Sequence, residues 1–173
     1  MSEERCVASD GLIARTSGRW AKEKLDFLDR CFPPALAATR SKIQRHYVDL
    51  FAGPGLNVDP RNGEEFSGSA LRALTARSQA DPRVYFTHGW LVNLEAEDHE
   101  ALFARVERLF AEGRCPTARG NVRNVPDDAN AAVPSVLRLV LVCRAKPVSR
   151  FKVGQRILAS GPDLMRRRES YGV

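Results

Sequence analysis

The sequence has no long apolar run and no N-terminal apolar segment. None of its apolar stretches approaches the roughly 18 to 20 residues that a membrane-spanning helix needs, and the opening MSEERCVASD lacks the apolar core of a signal peptide. We therefore expect a cytoplasmic protein without a membrane partner. With 173 residues, of which 43% are hydrophobic, the chain has the length and apolar content of one globular domain.

Cysteines and histidines are few and scattered. The four cysteines include no C-x-x-C pair, and the three histidines show neither H-x-x-x-H nor H-E-x-x-H spacing. The sequence therefore indicates no metal site and no disulfide framework, and reduced, partly buried thiols are expected. The residues concerned are Cys6, Cys31, Cys115, Cys143, His46, His88 and His99.

Basic residues are in excess only at the C-terminal end. The net charge is +6, yet residues 1–143 contain 19 basic and 19 acidic side chains. The last 30 residues contain eight basic and two acidic ones, including RRRES at residues 166–170. Such a run can bind nucleic-acid phosphates, but a solvated tail is the commoner outcome. Nucleic acid is therefore not the favoured partner.

The N-terminal part of the chain is predicted to be a flexible terminus followed by two helices. Residues 1–18 are polar and aperiodic, so we assign them no element. Helical spacing of apolar residues predicts a helix over residues 19–32 that stops at Pro33-Pro34. A second short helix is predicted over residues 35–41, because proline is tolerated in a first turn.

From there to residue 143 the chain alternates between predicted strands and helices. Runs of β-branched and aromatic residues predict strands at residues 46–52, 84–95, 118–125 and 139–143. Helices are predicted at residues 70–80, 96–113 and 130–140, with a long loop at residues 56–68. This order favours an α/β, Rossmann-like three-layer fold with a mainly parallel sheet of about four strands, preceded by N-terminal helices.

The stretch RHYVDLFAGPGLN, residues 45–57, stops abruptly at Gly53-Pro54-Gly55. After a parallel strand, a glycine turn lets backbone N–H groups approach a ligand closely. G-P-G is also an ordinary tight turn. Because it is not G-x-G-x-x-G and no helix follows it at once, the turn offers no pyrophosphate site, which favours S-adenosylmethionine over a dinucleotide.

Acidic residues end the next two predicted strands. Glu95 ends the second, and a carboxylate there can accept two hydrogen bonds from ribose hydroxyls. Asp127 or Asp128 would end the third beside the same crevice, where it could accept from an adenine amino group. Three strand ends would then converge on one nucleoside-containing ligand.

YVDLFAGPG also resembles the first motif of Rossmann-type S-adenosylmethionine-dependent methyltransferases. Over roughly residues 18–142 the chain resembles one branch of them, the three-Cys-motif partner proteins. The supporting stretches are Trp20 with Lys24-Leu25, GSALRAL at residues 68–74, HGWLVNLE at residues 88–95 and DDAN at residues 127–130. The resemblance implies a methyltransferase-like protein whose partner carries a three-cysteine motif.

The resemblance also implies which residues lie at the cofactor. Those on the first strand and its turn would shape the methionine end, Glu95 would take the ribose, and Asp128 would lie near the base. The full set is Asp49, Phe51, Gly53, Pro54, Gly55, Glu95 and Asp128. No nucleophile, base and orienting group can be assembled from the spacings, so no catalytic residue is assigned.

One segment departs from the family. Where the family has a fourth-strand motif of an acidic residue, proline and an aromatic residue, this chain has LVLVCRAKPVSRF without an acid. The domain at residues 19–143 is therefore interpreted as a partial Rossmann domain, and residues 144–173 as a basic, divergent tail. We hypothesise truncation or a reading-frame shift in a longer ancestral gene. The hypothesis is tested by whether another frame of the coding DNA encodes the expected strands.

Several of these residues also have purely structural interpretations. Asp49 could brace the turn through backbone N–H groups, and Glu95 could stabilise a helix N-terminus. His88 is expected to be a packed or surface histidine, and Trp20 and Trp90 core or edge aromatics. At the level of function, the alternatives to a cofactor-binding protein are a noncatalytic partner-binding module and a truncated inactive product.

Overall fold

A computed structural model describes residues 4–145 of the chain. Its strands are β1 (Arg5–Val7), β2 (Ile13–Thr16), β3 (His46–Asp49), β4 (Leu56–Val58), β5 (Glu65–Ser67), β6 (His88–Asn93) and β7 (Val122–Pro126). Its helices are α1 (Arg19–Ala38), α2 (Ser69–Thr75), α3 (Ala96–Ala111) and α4 (Ala129–Ala145), with a 3₁₀ turn at Arg119–Asn121. The predicted α/β class is confirmed. None of the helices described is long and apolar enough to cross a membrane.

β3, β6 and β7 form a wholly parallel sheet with β6 in the centre. Each lies within or close to a predicted strand, and β6 is buried along all but its first residue, as expected for a strand covered on both faces. Because the strands are parallel, their carboxyl ends lie along one edge of the sheet. The chain leaves that edge after Asp49, Asn93 and Pro126.

Successive side chains of β6 contact different hydrophobic clusters. Leu91 packs with residues of α2 and α3, whereas Trp90 and Val92 pack with Ala132 and Val136 of α4. This follows from the period of two along a strand. Helices therefore contact the central strand through both of its faces. A complete Rossmann-like three-layer arrangement stays a prediction, because the chain also forms a second sheet.

The second sheet is mixed, with strand order β1-β2-β4-β5, and it corrects two predictions. Residues 1–18, which we expected to hold no element, contain the antiparallel hairpin of β1 and β2. The loop predicted at residues 56–68 contains β4 and β5. These strands have only three or four residues, too few to show a clear period. They form because distant segments pair, with β2 parallel to β4.

A single α1 replaces the two helices predicted around Pro33-Pro34. Proline in a helix interior removes a hydrogen bond and clashes with the preceding turn. Here Phe32 and Leu36, on either side of the prolines, are buried, and the Phe32 ring contacts Tyr47 edge-on with centroids 5.8 Å apart. Packing of the residues before and after the prolines therefore keeps both predicted segments in one continuous helix.

The fourth strand predicted at residues 139–143 is wrong, because these residues belong to α4. A short apolar run cannot be assigned to strand or helix from periodicity alone. Here the run continues a helix that has already begun, so the described part of the parallel sheet has three strands. From residue 146 onward, the predicted basic tail lies outside the described residues.

Candidate functional site

The glycine turn, residues 53–55, follows β3 at the carboxyl edge of the parallel sheet and is held by β6. The Ala52 N–H donates to the Val92 carbonyl at 3.1 Å, and the Asn93 side-chain amide donates to the Gly53 carbonyl at 3.0 Å. Asn93 is 4% exposed, so this hydrogen bond is shielded from water. The end of the central strand therefore fixes the conformation of the turn.

The two glycines of the turn are required for different reasons. Both have positive φ, +61° at Gly53 and +88° at Gly55, a region that favours glycine. A Cβ at Gly55 would lie 2.8 Å from Leu102 Cδ1 and 3.4 Å from Leu71 Cγ, so the core fills that space. A Cβ at Gly53 would lie 3.2 Å from the Arg15 guanidinium. A side chain at Gly55 would thus clash with the packed core, whereas Gly53 lies beneath the Arg15 side chain.

Asp49, the last residue of β3, braces the start of the turn. Its carboxylate accepts hydrogen bonds from the Tyr47 hydroxyl at 2.9 Å, the Ser69 hydroxyl at 2.5 Å and the Phe51 N–H at 3.2 Å. Burial, with the Asp49 charge beside it, raises the pKa of Tyr47, which therefore stays protonated and donates. The structural interpretation of Asp49 is thus supported by geometry, and Ser69 is a partner that sequence reasoning missed.

Two cavities lie against the glycine turn. The strand-end cavity has a volume of about 460 Å³ and lies beside the residues that follow β3, β6 and β7. The α1 cavity has a volume of about 700 Å³ and lies between α1 and the end of β3. Both are bordered by Arg15, Leu50, Phe51 and Gly53. The two cavities therefore adjoin each other at the turn.

All seven residues predicted to lie at a cofactor border these cavities. The strand-end cavity is bordered by Phe51, Gly53, Glu95 and Asp128. The α1 cavity is bordered by Asp49, Phe51, Gly53, Pro54 and Gly55. Of the two alternatives for the third carboxylate, Asp128 is the one that borders the strand-end cavity.

The carboxylates of Glu95 and Asp128 have different surroundings. The Glu95 side chain is 59% exposed, with Arg5 Nη2 4.0 Å away, and within the described chain it makes no capping hydrogen bond to α3. The Asp128 carboxylate accepts from the N–H groups of Asn130 at 2.8 Å and Ala131 at 3.4 Å, so it caps α4. Glu95 is therefore the more available acceptor for a ligand.

Two arginines on the mixed sheet border the site, and sequence reasoning missed both. Arg5 and Arg15 lie on β1 and β2, and both border the strand-end cavity. Arg5 Nε is 3.5 Å from Asp98 Oδ1, and Arg15 Nη2 is 3.9 Å from Asp98 Oδ2. No local pattern connects Arg5 and Arg15 to Asp98, which follows them by 93 and 83 positions. The missed Asn93, in contrast, is marked in the sequence as a polar residue ending an apolar strand.

Histidine and tryptophan side chains lie mostly away from the cavities. His46 and His88, the first residues of β3 and β6, stack with ring centroids 4.4 Å apart, and burial lowers the pKa of His88. His88 is thus a packed histidine, as predicted, and Trp90 is a core residue with 6% exposure. Trp20 is 75% exposed and is not a core residue. It borders the α1 cavity, and Lys24 Nζ lies 5.6 Å from the centroid of its ring.

In the described part of the chain, no group of three or more His, Cys, Asp or Glu side chains is arranged to hold a metal ion. Cys6, Cys31 and Cys115 are free and half-buried. Comparison of the chain with protein-family models, curated proteins and solved structures found no match.

Proposed function

We propose that the protein binds S-adenosylmethionine across the strand-end cavity and the α1 cavity and is methyltransferase-like. The observation that carries the proposal is the glycine turn between two adjoining cavities, with carboxylates at the neighbouring strand ends. In open parallel sheets, ligands bind outside the carboxyl ends of the strands. Both volumes, about 460 and 700 Å³, lie in the range of about 300 to 1,000 Å³ that is usual for small-molecule sites.

Each part of the cofactor has a group in the site that suits it. The exposed Glu95 carboxylate can accept from both ribose hydroxyls, and Asp128 can accept from the adenine amino group. The methionyl end then extends past Gly53 into the α1 cavity. The ligand needs no phosphate site, which agrees with a glycine turn that is followed by β4 and not by a helix.

No general acid or base is needed for this proposal. Transfer of a methyl group from a sulfonium can proceed when the acceptor is held in line with it, and positioning alone can supply a large part of the rate acceleration. The α1 cavity adjoins the proposed methionyl end and is the place for a methyl acceptor.

The test is isothermal titration of the full-length protein with S-adenosylhomocysteine. Glu95→Ala should weaken binding by about 10- to 100-fold, the loss expected when hydrogen bonds to a charged group are removed. Glu97→Ala is the matched control, because Glu97 lies in the first turn of α3, is 70% exposed and also pairs with Arg5. Absence of binding to well-folded wild-type protein would contradict the proposal. Equal losses of affinity in the two variants would show that Glu95 does not bind the ribose.

A second candidate function is a noncatalytic module that docks a three-cysteine-motif protein. The observation that favours it is the outer edge of β3, which pairs with no other strand among residues 4–145. Val48 of β3 is 42% exposed, and Phe51, which follows the strand, is 76% exposed. Unpaired strand edges and exposed apolar residues are typical of docking surfaces. Co-purification with such a partner in the absence of cofactor would support this function over the first.

A further inference from the structure

We infer that Arg15 binds the α-carboxylate of the cofactor's methionyl group, an inference that rests on the proposed function. Arg15 borders both cavities. Its Nη2 lies 3.2 Å from the position of a Cβ on Gly53, so the guanidinium lies directly over the glycine turn. A ligand that passes from the strand-end cavity into the α1 cavity must pass this group.

The structure holds Arg15 in place from two sides. Its backbone lies within the mixed sheet, where Arg15 is in register with Arg5 on one side and Asn57 on the other. Its side chain is 31% exposed, and Nη2 is 3.9 Å from Asp98 Oδ2, on a carboxylate that is 8% exposed. A planar guanidinium has five N–H donors, so a contact with Asp98 is compatible with a second carboxylate. Its position is therefore set before a ligand arrives.

A guanidinium suits the methionyl end of the cofactor. The α-carboxylate is the anionic group of the cofactor, and a guanidinium binds a carboxylate through two parallel N–H···O hydrogen bonds. Among the described residues, the cations that border the α1 cavity are Arg15 and Lys24. Lys24 lies over the exposed ring of Trp20, whereas Arg15 lies over Gly53. The geometry therefore favours Arg15, and Lys24 becomes a matched control in the same cavity.

The experiment compares two ligands that share the adenosine part. S-adenosylhomocysteine carries the α-carboxylate, and 5′-methylthioadenosine lacks the whole amino-acid group. Both are titrated against wild-type protein, Arg15→Gln, Arg15→Lys and Lys24→Gln. Arg15→Gln should weaken the binding of S-adenosylhomocysteine by about 10- to 100-fold, as expected for loss of a charge-assisted hydrogen bond. The same variant should leave the affinity for methylthioadenosine within about twofold of the wild-type value. The affinity of Arg15→Lys for S-adenosylhomocysteine should lie between those of wild type and Arg15→Gln. Lys24→Gln should leave the affinity for both ligands unchanged.

The two ligands separate failure of this inference from failure of the proposed function. If wild-type protein binds both but Arg15→Gln weakens neither or weakens both equally, Arg15 does not bind the carboxylate. If well-folded wild-type protein binds neither, the proposed function fails and this inference fails with it. Circular dichroism and the thermal midpoint show whether Arg15→Gln is folded. Arg15→Lys, which keeps the charge, supplies the same ligand comparison if it is not.

Discussion

The parallel sheet and the mixed sheet differ in sequence, burial and charge, and the candidate site lies where they meet. The parallel sheet has a buried central strand, and the carboxylates of Glu95 and Asp128 follow its strand ends. The mixed sheet consists of strands of three or four residues and places Arg5 and Arg15 at the strand-end cavity, which Glu95 and Asp128 also border. The acidic groups and the basic groups of the site thus come from different sheets, and neither sheet contains the site alone.

One buried side chain joins the hairpin of the mixed sheet to the glycine turn. Arg105 of α3 is 3% exposed and donates to both carboxylate oxygens of Asp10 at 2.8 Å. It also donates to the carbonyls of Ile13 at 2.8 Å and Pro54 at 2.6 Å. Asp10 lies between β1 and β2, and Pro54 lies in the turn. The position of the arginine-bearing hairpin over the turn therefore depends on Arg105.

The largest expected effect comes from breaking this link. Arg105→Ala should lower the free energy of unfolding by about 3 to 5 kcal/mol. The Asp10 carboxylate loses two charge-assisted hydrogen bonds, the Ile13 and Pro54 carbonyls lose a donor, and of the residues that the structure describes only the Leu12 N–H and the more distant Arg108 still face Asp10. Urea unfolding followed by circular dichroism measures the change. The matched control is Arg108→Ala on the same helix. Arg108 is 53% exposed and 3.7 Å from Asp10, and its loss should cost about 1 kcal/mol or less.

The comparison between the two variants decides whether the sheets are coupled. If Arg105→Ala costs no more than Arg108→Ala, the hairpin is not held to the turn through Arg105. If the cost is large, S-adenosylhomocysteine should also bind more weakly to a folded conservative variant, Arg105→Lys. Lysine keeps the charge but cannot make the same set of planar hydrogen bonds.

The next effect concerns the turn itself. Gly55→Ala should destabilise the protein by about 2 to 4 kcal/mol, because overpacking of the core adds to the cost of positive φ. The control is Gly63→Ala. Gly63 also has positive φ, +70°, but nothing lies within 4 Å of its would-be Cβ, so only the backbone cost of about 1 kcal/mol is expected. Equal losses in urea unfolding would show that Leu102 moves away and that close packing at Gly55 is unimportant.

The sequence predicts the three strands of the parallel sheet in their order along the chain, although the fourth strand predicted is part of α4. Long apolar strands such as β6 and an amphipathic helix such as α3 carry their signal within a single window of residues. For the same reason, Glu95 and Asp128 could be located, since each directly follows a predicted strand. The residues predicted to lie at a cofactor do border adjoining cavities, although their ligand stays a prediction.

The mixed sheet and its arginines could not be predicted in this way. β1 and β2 are short. They are stabilised by pairing with each other, by the pairing of β2 with β4 and by Arg105, which follows Asp10 by 95 positions. Tertiary contacts also override local signals at Pro33-Pro34, where buried Phe32 and Leu36 keep α1 continuous. Arg15 has no motif of its own and becomes a candidate only when β2 places it over Gly53.

The smallest expected effect is the pH dependence of the stability that the ion pair between Asp10 and Arg105 contributes. Hydrogen bonds from Arg105 hold the pKa of the Asp10 carboxyl below its ordinary value of 3.8. Between the lowered pKa and 3.8, the unfolded chain binds more protons than the folded one. The stabilisation from Asp10 is therefore fully present above the ordinary pKa and is lost as the pH falls through the lowered one.

Asp10→Asn should remove this acid-dependent loss while lowering stability at neutral pH, because a neutral amide pairs less strongly with Arg105. Urea unfolding from about pH 7 to about pH 3 gives the slope for wild type and variant. The control is Asp81→Asn, because the pKa of Asp81 is also lowered, by Arg83, but the Arg83 side chain is 89% exposed. An exposed pair contributes little to stability, so Asp81→Asn should change the slope much less than Asp10→Asn does. If Asp10→Asn changes the slope no more than Asp81→Asn does, solvent screens the ion pair between the hairpin and α3, and Arg105 does not couple the two sheets.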